Sequence, residues 1–355
     1  MPPLTAETVV PYLQARGHLP AGTSATITPL AWGVSNIVLR VEPQNSLPCV
    51  VKQSQPQLRT KIEWLSRCER IYREADVLRA LEHVLPSRVV PKVLFEDRDN
   101  FVLGLEAIRA DHRVWKQSLL EGHLDLSVAE KLGEYLAQIH SQTWGRHDLL
   151  PDADDWSLFD ELRIDPYYRW LARLAPDTGA AFADLIEEMT AHRVCLVHAD
   201  FSPKNVLVHP DGISLVDFET GHFGDPAFDV GFFLAHLVLK TLHLRERALE
   251  WMELVARFWS KYLRTLSNAD EAESSRPPGP DDADAVSQRG VRHLAACLWA
   301  RIDGKSPVDY LNDPSDQQFV RNLARRWLLS PPNRVEHALA ELYLGHFRAF
   351  GELRR

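Results

Sequence analysis

The sequence predicts an α+β fold of two unequal lobes. A small antiparallel-sheet lobe with one helix covers residues 1–107, and a larger, mainly helical lobe carrying one β-hairpin covers 108–355. Three observations predict it. Residues 25–52, "ATITPLAWGVSNIVLRVEPQNSLPCVVK", alternate apolar and polar positions as half-buried strands do. Residues 60–83 then change to the helical period, with Ile71, Ala75 and Leu78 on one face. From about residue 108 the helical period dominates, interrupted only by "LVHADFSPKNVLVHPDGISLVDFETGHFGDP", residues 196–226.

Taken in order, the first lobe holds three short strands with turns at Trp32-Gly33 and Glu42-Pro43, then the helix, then a strand pair near 92–96 and 101–105. In the second lobe "SVAEKLGEYLAQIHS" is amphipathic, and Ser127 with Glu130 has the spacing of a capping box. Within 196–226, Pro210-Asp211-Gly212 supplies a turn between the β-branched, apolar runs 206–208 and 213–216. Residues 267–290, "SNADEAESSRPPGPDDADAVSQRG", are rich in Pro, Ser and acids and almost lack large apolar side chains, so a mobile loop between two helices is expected there. Near residue 300, Leu298, Arg301 and Ile302 continue a helix that Gly304 should end.

Composition narrows the function. Of 355 residues 45% are hydrophobic and 25% charged, as in a globular protein long enough for two cores. With 49 acidic against 40 basic residues the net charge is −9, which argues against a broad nucleic-acid surface or an anionic-membrane surface. Cys49, Cys68, Cys195 and Cys297 form no C-x-x-C pair, so buried, reduced thiols in a cytoplasmic protein are expected. The stretch "MPPLTAETVVPYLQARGHLP" lacks a charged region followed by an apolar one, so no secretory signal is expected. The longest apolar run, 230–239, is far short of the ~20 residues of a membrane span.

The hairpin's turn explains its middle but not the acids and amide at its ends. Asp217 ends one strand and Asn205 begins its antiparallel neighbour, so both can approach one point beyond the hairpin. A carboxylate and an amide oxygen there are hard ligands suited to Mg²⁺ bridged to phosphates. Asp200, on the preceding loop, is placed to face a substrate hydroxyl as a base. Lys204 beside them can neutralise a transferring phosphoryl group. The plain alternative is a hairpin whose acids cap turns.

The pattern H-x-D-x-x-x-x-N, a strand and D-F-E resembles the catalytic and metal loops of the protein-kinase-like fold. More closely, "VHADFSPKNVLV…SLVDFETGHFGDPAFDVGFF" resembles the aminoglycoside phosphotransferase and choline kinase family of small-molecule kinases. The resemblance implies a β-rich lobe over a helical lobe with ATP between them. It implies that Asp200 is the catalytic base, that Asn205 and Asp217 hold Mg²⁺, that His198 supports the loop, and that Asp229 anchors it from a following helix. Only eleven residues separate Asp217 from Asp229, too few for a protein kinase's activation segment, so a small-molecule acceptor is favoured over a protein. A non-catalytic nucleotide-binding regulator on the same fold is the alternative from another class.

The first lobe offers an independent check. Lys52 ends the apolar strand "CVVK" and resembles the family's strand lysine that meets the α- and β-phosphates. Glu74 shares the apolar helix face with Ile71 and Leu78, where a carboxylate is expensive unless paired, which points to a Lys52–Glu74 pair; Glu69 lies on another face. The phosphate loop "LAWGVSNIVLRV" has one glycine, and Gly33, Ser35 and Asn36 are its candidate phosphate contacts. The adenine hinge should fall near 103–108, using backbone groups of Glu106 or Ala107. Arg301, Asp303 and Lys305 are candidate acceptor contacts, against the simpler reading of a solvated helix end. The acceptor's identity is open among aminoglycoside-like, choline-like and sugar or amino-alcohol compounds. "PDADDW" (151–156) and the aromatics Tyr167, Tyr168 and Trp170 are the features that bear on the first two.

Overall fold

The computed structural model describes residues 2–30, 35–60, 62–268 and 279–350. After a short helix α1 (Val9–Ala15) come strands β1 (Ala25–Pro29), β2 (Asn36–Pro43) and β3 (Cys49–Ser54), helix α2 (Arg70–Leu81), and strands β4 (Val93–Asp97) and β5 (Val102–Glu106). The five strands form one antiparallel sheet in the order β1-β2-β3-β5-β4. The two-residue period of β3 sends Val51 into the small core that α1 closes, and Lys52 to the opposite face, where α2 packs. Helix α1 was not expected; Pro11 inside a short segment hides its period. Helix α2 is shorter than its apolar pattern suggested, beginning at Arg70 after irregular chain from which Trp64 is nonetheless buried.

The remainder is helical around a small β insert. Strand β6 (Arg113–Val114) leads to α3 (Trp115–Leu120) and α4 (Leu126–Gln142). The cap of α4 is Asp125, whose carboxylate accepts the Ser127 N–H at 2.9 Å, and Ser127 itself sits inside the helix. Next come α5 (Ser157–Phe159), a π-helical stretch through Asp160–Arg169 that contains Pro166, α6 (Trp170–Leu174) and α7 (Gly179–Ala191). Strands β7 (Cys195–Val197), β8 (Val206–His209), β9 (Gly212–Leu215) and β10 (His222–Gly224) follow. The predicted hairpin is β8–β9, in register Val206↔Leu215 to His209↔Gly212, and β6 pairs on its other side. Gly212 has φ 136°, which the turn requires.

Helices α8 (Pro226–His243), α9 (Ala248–Ser267), α10 (Pro280–Asp303), α11 (Pro314–Leu329) and α12 (Val335–Phe350) complete the lobe. Residues 280–290 are therefore helical and not part of a loop; 269–278 lie outside the described residues. Their acid-rich composition hides an inner face on which Ala283 and Val286 are buried, and the Gly279 N–H donates to the Asp282 carboxylate at 3.0 Å. Close packing of α4 on α9 and of α8 on α10 depends on glycine. A Cβ at Gly133 would lie 2.3 Å from the Phe258 carbonyl oxygen, and one at Gly231 would lie 2.5 Å from Cβ of His293. Helix α8 is buried along almost its whole length and serves as the axis of this core. No single described helix is long and apolar enough to cross a membrane.

Candidate active site

The hairpin's entry loop is held from below by α8. Asp225 caps that helix through the Ala227 N–H (2.9 Å), Pro226 occupies its first turn where no N–H is needed, and Arg289 on α10 clamps Asp225 with bonds of 2.7 and 2.9 Å. This fixes Asp229, fully buried, so that its carboxylate accepts the backbone N–H groups of His198 and Ala199, each at 2.7 Å. His140 on α4 approaches the same carboxylate at 3.3 Å. Ala199 has φ 59°, a left-handed conformation that costs a non-glycine residue on the order of 1–3 kcal/mol unless its surroundings impose it. Here they do: Asp229 holds its N–H, and Arg163 Nε donates to its carbonyl at 2.6 Å. The His198 ring, neutral because burial lowers its pKa, stacks on Phe218 at 4.2 Å.

Asp200 leaves this loop into a cluster of donors. Arg163 Nη2 lies 2.9 Å from Oδ1, and Lys204 Nζ and Asn205 Nδ2 lie 2.8 and 2.9 Å from Oδ2. Burial disfavours its charge, but Lys204 and Arg163 outweigh that, so Asp200 stays ionised below the usual carboxylate range. Because Asn205 spends its amide N–H groups on Asp200, its side-chain oxygen faces away from that residue. Asp217, at φ 73°, accepts Lys52 Nζ at 2.9 Å through Oδ1, which leaves Oδ2. The donor set, one carboxylate and one amide oxygen, fits a small hard dication.

From the other lobe, Lys52 Nζ meets both Glu74 oxygens at 2.8 and 2.7 Å, so the pair expected on β3 and α2 is present. One ammonium thus serves two carboxylates. Burial pushes the Glu74 carboxyl up against the pull of Lys52, whereas at Asp217 the cations Lys52 and Lys204 overcome burial and hold it well below the ordinary range. The cleft above, open to solvent, is lined by the apolar Leu30, Val38, Val50, Leu105 and Ile108 of the first lobe and Leu207 and Val216 of the second, together with Lys52, Lys204, Asn205 and Asp217. Apolar walls together with a group of charged side chains in contact with one another suit a flat ring joined to a charged tail.

The sequence matches the phosphotransferase enzyme family over residues 26–272, most of the chain. The chain belongs to this family. Among its relatives, methylthioribose kinase of Cronobacter sakazakii is 27% identical over 263 residues; the aligned part is 66% of this chain and 65% of that protein, just under two thirds of its length. Methylthioribose kinase of Pectobacterium atrosepticum is 26% identical over 379 residues, covering 93% and 94%. An amicoumacin kinase solved with AMP-PNP and Ca²⁺ shares the fold, with a TM-score of 0.53 at 13% identity over 87% of this chain and 90% of that one. The two-lobed, protein-kinase-like architecture is that of the family.

Not all of the residues expected at the cleft meet it. Gly33 lies outside the described residues. Ser35 and Asn36 line the cleft, but the Asn36 amide donates to Glu219 at 2.8 Å and the Ser35 carbonyl accepts from Arg70 at 2.6 Å. At the hinge the Glu106 N–H donates to the Lys92 carbonyl and the Ala107 N–H to Pro48, so a nucleobase must find other backbone groups of this stretch. Of the junction residues, Arg301 donates toward Tyr167 OH (3.5 Å) and Ser306 (3.1 Å). Asp303 is bonded to Arg321 and Trp299, and Lys305 to Asp165. Within "PDADDW", Asp155 caps α5 and Asp154 faces Arg193, while Tyr168 is a core residue bonded to His293.

Two participants were missed. Glu219, next to the D-F pair, accepts Asn36 and the fully buried Arg70 (3.2 Å), tying the start of β2 to the end of the hairpin; the acid in D-F-E was the available signal. Arg163, the second cation on Asp200, gave none, because the π-helical stretch that carries it has no 3.6-residue period.

Proposed function

We propose that this protein transfers the γ-phosphoryl group of ATP to a hydroxyl of a small, sugar-like metabolite. The residues of 1–107 would hold the nucleotide and those of 108–355 the acceptor. The observation that carries the reading is the meeting of Lys52, from the sheet, with Asp217 of the hairpin in one cleft, where Lys204 also pairs with Asp200 at 2.8 Å.

In this reading Lys52, fixed by Glu74, meets the inner phosphates, and Lys204 neutralises the group in transit. Mg²⁺, held by Asn205 and Asp217, would supply further charge neutralisation. Asp200 accepts the hydrogen bond of the acceptor hydroxyl and aims its oxygen at the γ-phosphorus. The new P–O bond forms as the bond to the β,γ-bridging oxygen breaks; ADP leaves, and the hydroxyl proton passes to Asp200 or to water. A carboxylate this acidic works chiefly by orientation, since its ionised form is already the resting one. The methylthioribose kinases among the relatives favour a sugar-type acceptor over an aminoglycoside or choline. The test is ADP release with Mg-ATP and a panel of hydroxylated metabolites. No release with any acceptor, together with no Mg-ATP binding by calorimetry, overturns the reading.

A further inference from the structure

From Asp200 a chain of cations and aromatic rings runs through the π-helical stretch to α8 and α10. The path starts at Arg163, which pairs with Asp200 at 2.9 Å while its guanidinium lies over the rings of Phe232 (5.4 Å) and Tyr167 (5.8 Å). Tyr167 OH meets Arg301 at 3.5 Å, and the Phe232 ring meets His236 at 5.0 Å. One turn along α8, Lys240 is 1% exposed, and its ammonium reaches only the His236 carbonyl (3.1 Å) and Tyr310 OH (3.4 Å), with the Tyr310 ring 5.1 Å away. Arg301 Nε is buried and has no hydrogen-bond partner among the described residues. A buried ammonium is costly without a counter-charge. Asp309, the acid whose charge acts on Lys240, is 80% exposed and pairs with Lys116 at 3.5 Å.

We propose that the acceptor carries an anionic group, a carboxylate or a phosphate, that Lys240 and Arg301 hold while its hydroxyl is presented to Asp200. The proposal rests on the kinase reading above and adds the charge of the substrate. The local field agrees with it. Burial lowers the pKa of Lys240 well below that of an ordinary lysine, Lys116 and Arg301 lower it further, and Asp309 alone opposes them. Burial followed by Arg301, Lys240, Lys204 and Lys116 likewise keeps His236 neutral. An entering anion supplies the missing charge and recharges Lys240. A choline-like cation or an aminoglycoside would meet like charges, and the aromatic faces it would seek already carry Arg163, Lys240 and Lys116.

The experiment measures ADP release by the wild-type protein with matched acceptors: glycerate against glycerol for the carboxylate arm, ribose 5-phosphate against ribose for the phosphate arm, with methylthioribose, choline and kanamycin alongside. The expected result is a kcat/KM at least about 10-fold higher for the charged member of one pair, the arm that responds identifying the group. Lys240→Met and Arg301→Met should then raise the KM of that acceptor about 10- to 100-fold, while Mg-ATP affinity by calorimetry stays within about twofold. Preference for neutral or cationic acceptors by a protein that binds Mg-ATP overturns this inference alone. So does an undiminished preference for the charged acceptor in both variants. A wild-type protein that neither binds Mg-ATP nor releases ADP overturns the kinase reading, and this inference falls with it.

Discussion

The two sides of Asp200 handle charge in opposite ways. Toward the nucleotide cleft every buried cation named above has its acid: Lys52 has Glu74 and Asp217, and Arg70 has Glu219. Toward the far side Lys240 and Arg301 have hydroxyls and a carbonyl. Balanced pairs can be buried before any ligand arrives, so the first side is part of the folded scaffold. An unbalanced cluster is tolerated only where something else will complete it or where function outweighs the cost. On the proposal above, the difference separates a structure that stands by itself from one completed by the acceptor.

Asp200 stands on the boundary, and its replacement should produce the largest effect. Asp200→Asn keeps the shape and the contact with Asn205 but weakens the hold on the acceptor hydroxyl. Turnover should fall about 10²–10⁴-fold. Because Asp200 addresses the acceptor, Mg-ATP affinity by calorimetry should be largely retained. Near-normal phosphorylation by this variant would remove Asp200 from the chemistry and leave the two-sided picture without its centre.

The balanced side can be broken at Arg70. This residue is fully buried, donates to the carbonyls of Ser35 and Gln55, and faces Glu219. Arg70→Met strands a buried carboxylate, and breaking such a pair costs about 3–5 kcal/mol. A lowered denaturant midpoint together with a raised KM for ATP is expected, since Asn36 loses its support through Glu219. An unchanged midpoint would show that the charge balance is not what stabilises this face.

How much of this was legible beforehand depended on sequence distance. The hairpin and its polar ends lie within one stretch of about thirty residues, so local spacing alone placed Asp200, Asn205 and Asp217 near one another. The Lys52–Glu74 pair was legible because an acid on an apolar helix face demands a partner. The far cluster takes Arg163, His236, Lys240, Arg301 and Tyr310 from four separate segments; of these only Arg301 had been singled out in the sequence, as a candidate acceptor contact. Lys240 reads as the basic last turn of α8, and Arg301 as the basic last turn of α10. Only the fold brings them together. Composition also misled: acids in 280–290 outweighed the small apolar residues that make it helical.

Acidity offers a gentler probe of the balanced side. Asp200, Asp217 and Asp229 all have depressed pKa values; burial opposes each charge, and the overriding partners are Lys204 and Arg163, then Lys52 and Lys204, then His140. For a carboxylate lowered by folding, the stabilisation is present above the unfolded value of about 3.9 and is lost as pH falls through the folded one. These groups should therefore leave thermal stability flat from about pH 5 to 7 and erode it below about pH 4. Asp217→Asn removes one contributor, so its Tm should drop less between pH 5 and pH 3 than that of the wild type. Equal drops would deny the Lys52–Asp217 contact a share in stability.

The smallest effect is expected just outside the unbalanced pocket, where it sharpens the pocket's edge. Asp303 lies two residues after Arg301 and, from sequence alone, was as good a candidate for holding an acceptor. In the fold its carboxylate takes both Arg321 bonds at 2.8 Å and the Trp299 N–H at 3.0 Å, joining α10 to α11. Both partners of the ion pair are about a quarter to a third exposed, at 26% and 31%. Water screens such a pair, so Asp303→Ala should lower stability by about 0.5–1 kcal/mol, the bidentate geometry placing it at the upper end for a surface pair. The KM of the acceptor and that of ATP should both stay within about twofold, in contrast to Arg301→Met. A large rise in acceptor KM with Asp303→Ala would extend the pocket to the α10–α11 junction and place an acid in it. That no acid among the described residues is bonded to Lys240 or Arg301 is what distinguishes the two sides of Asp200, so that result would dissolve the contrast.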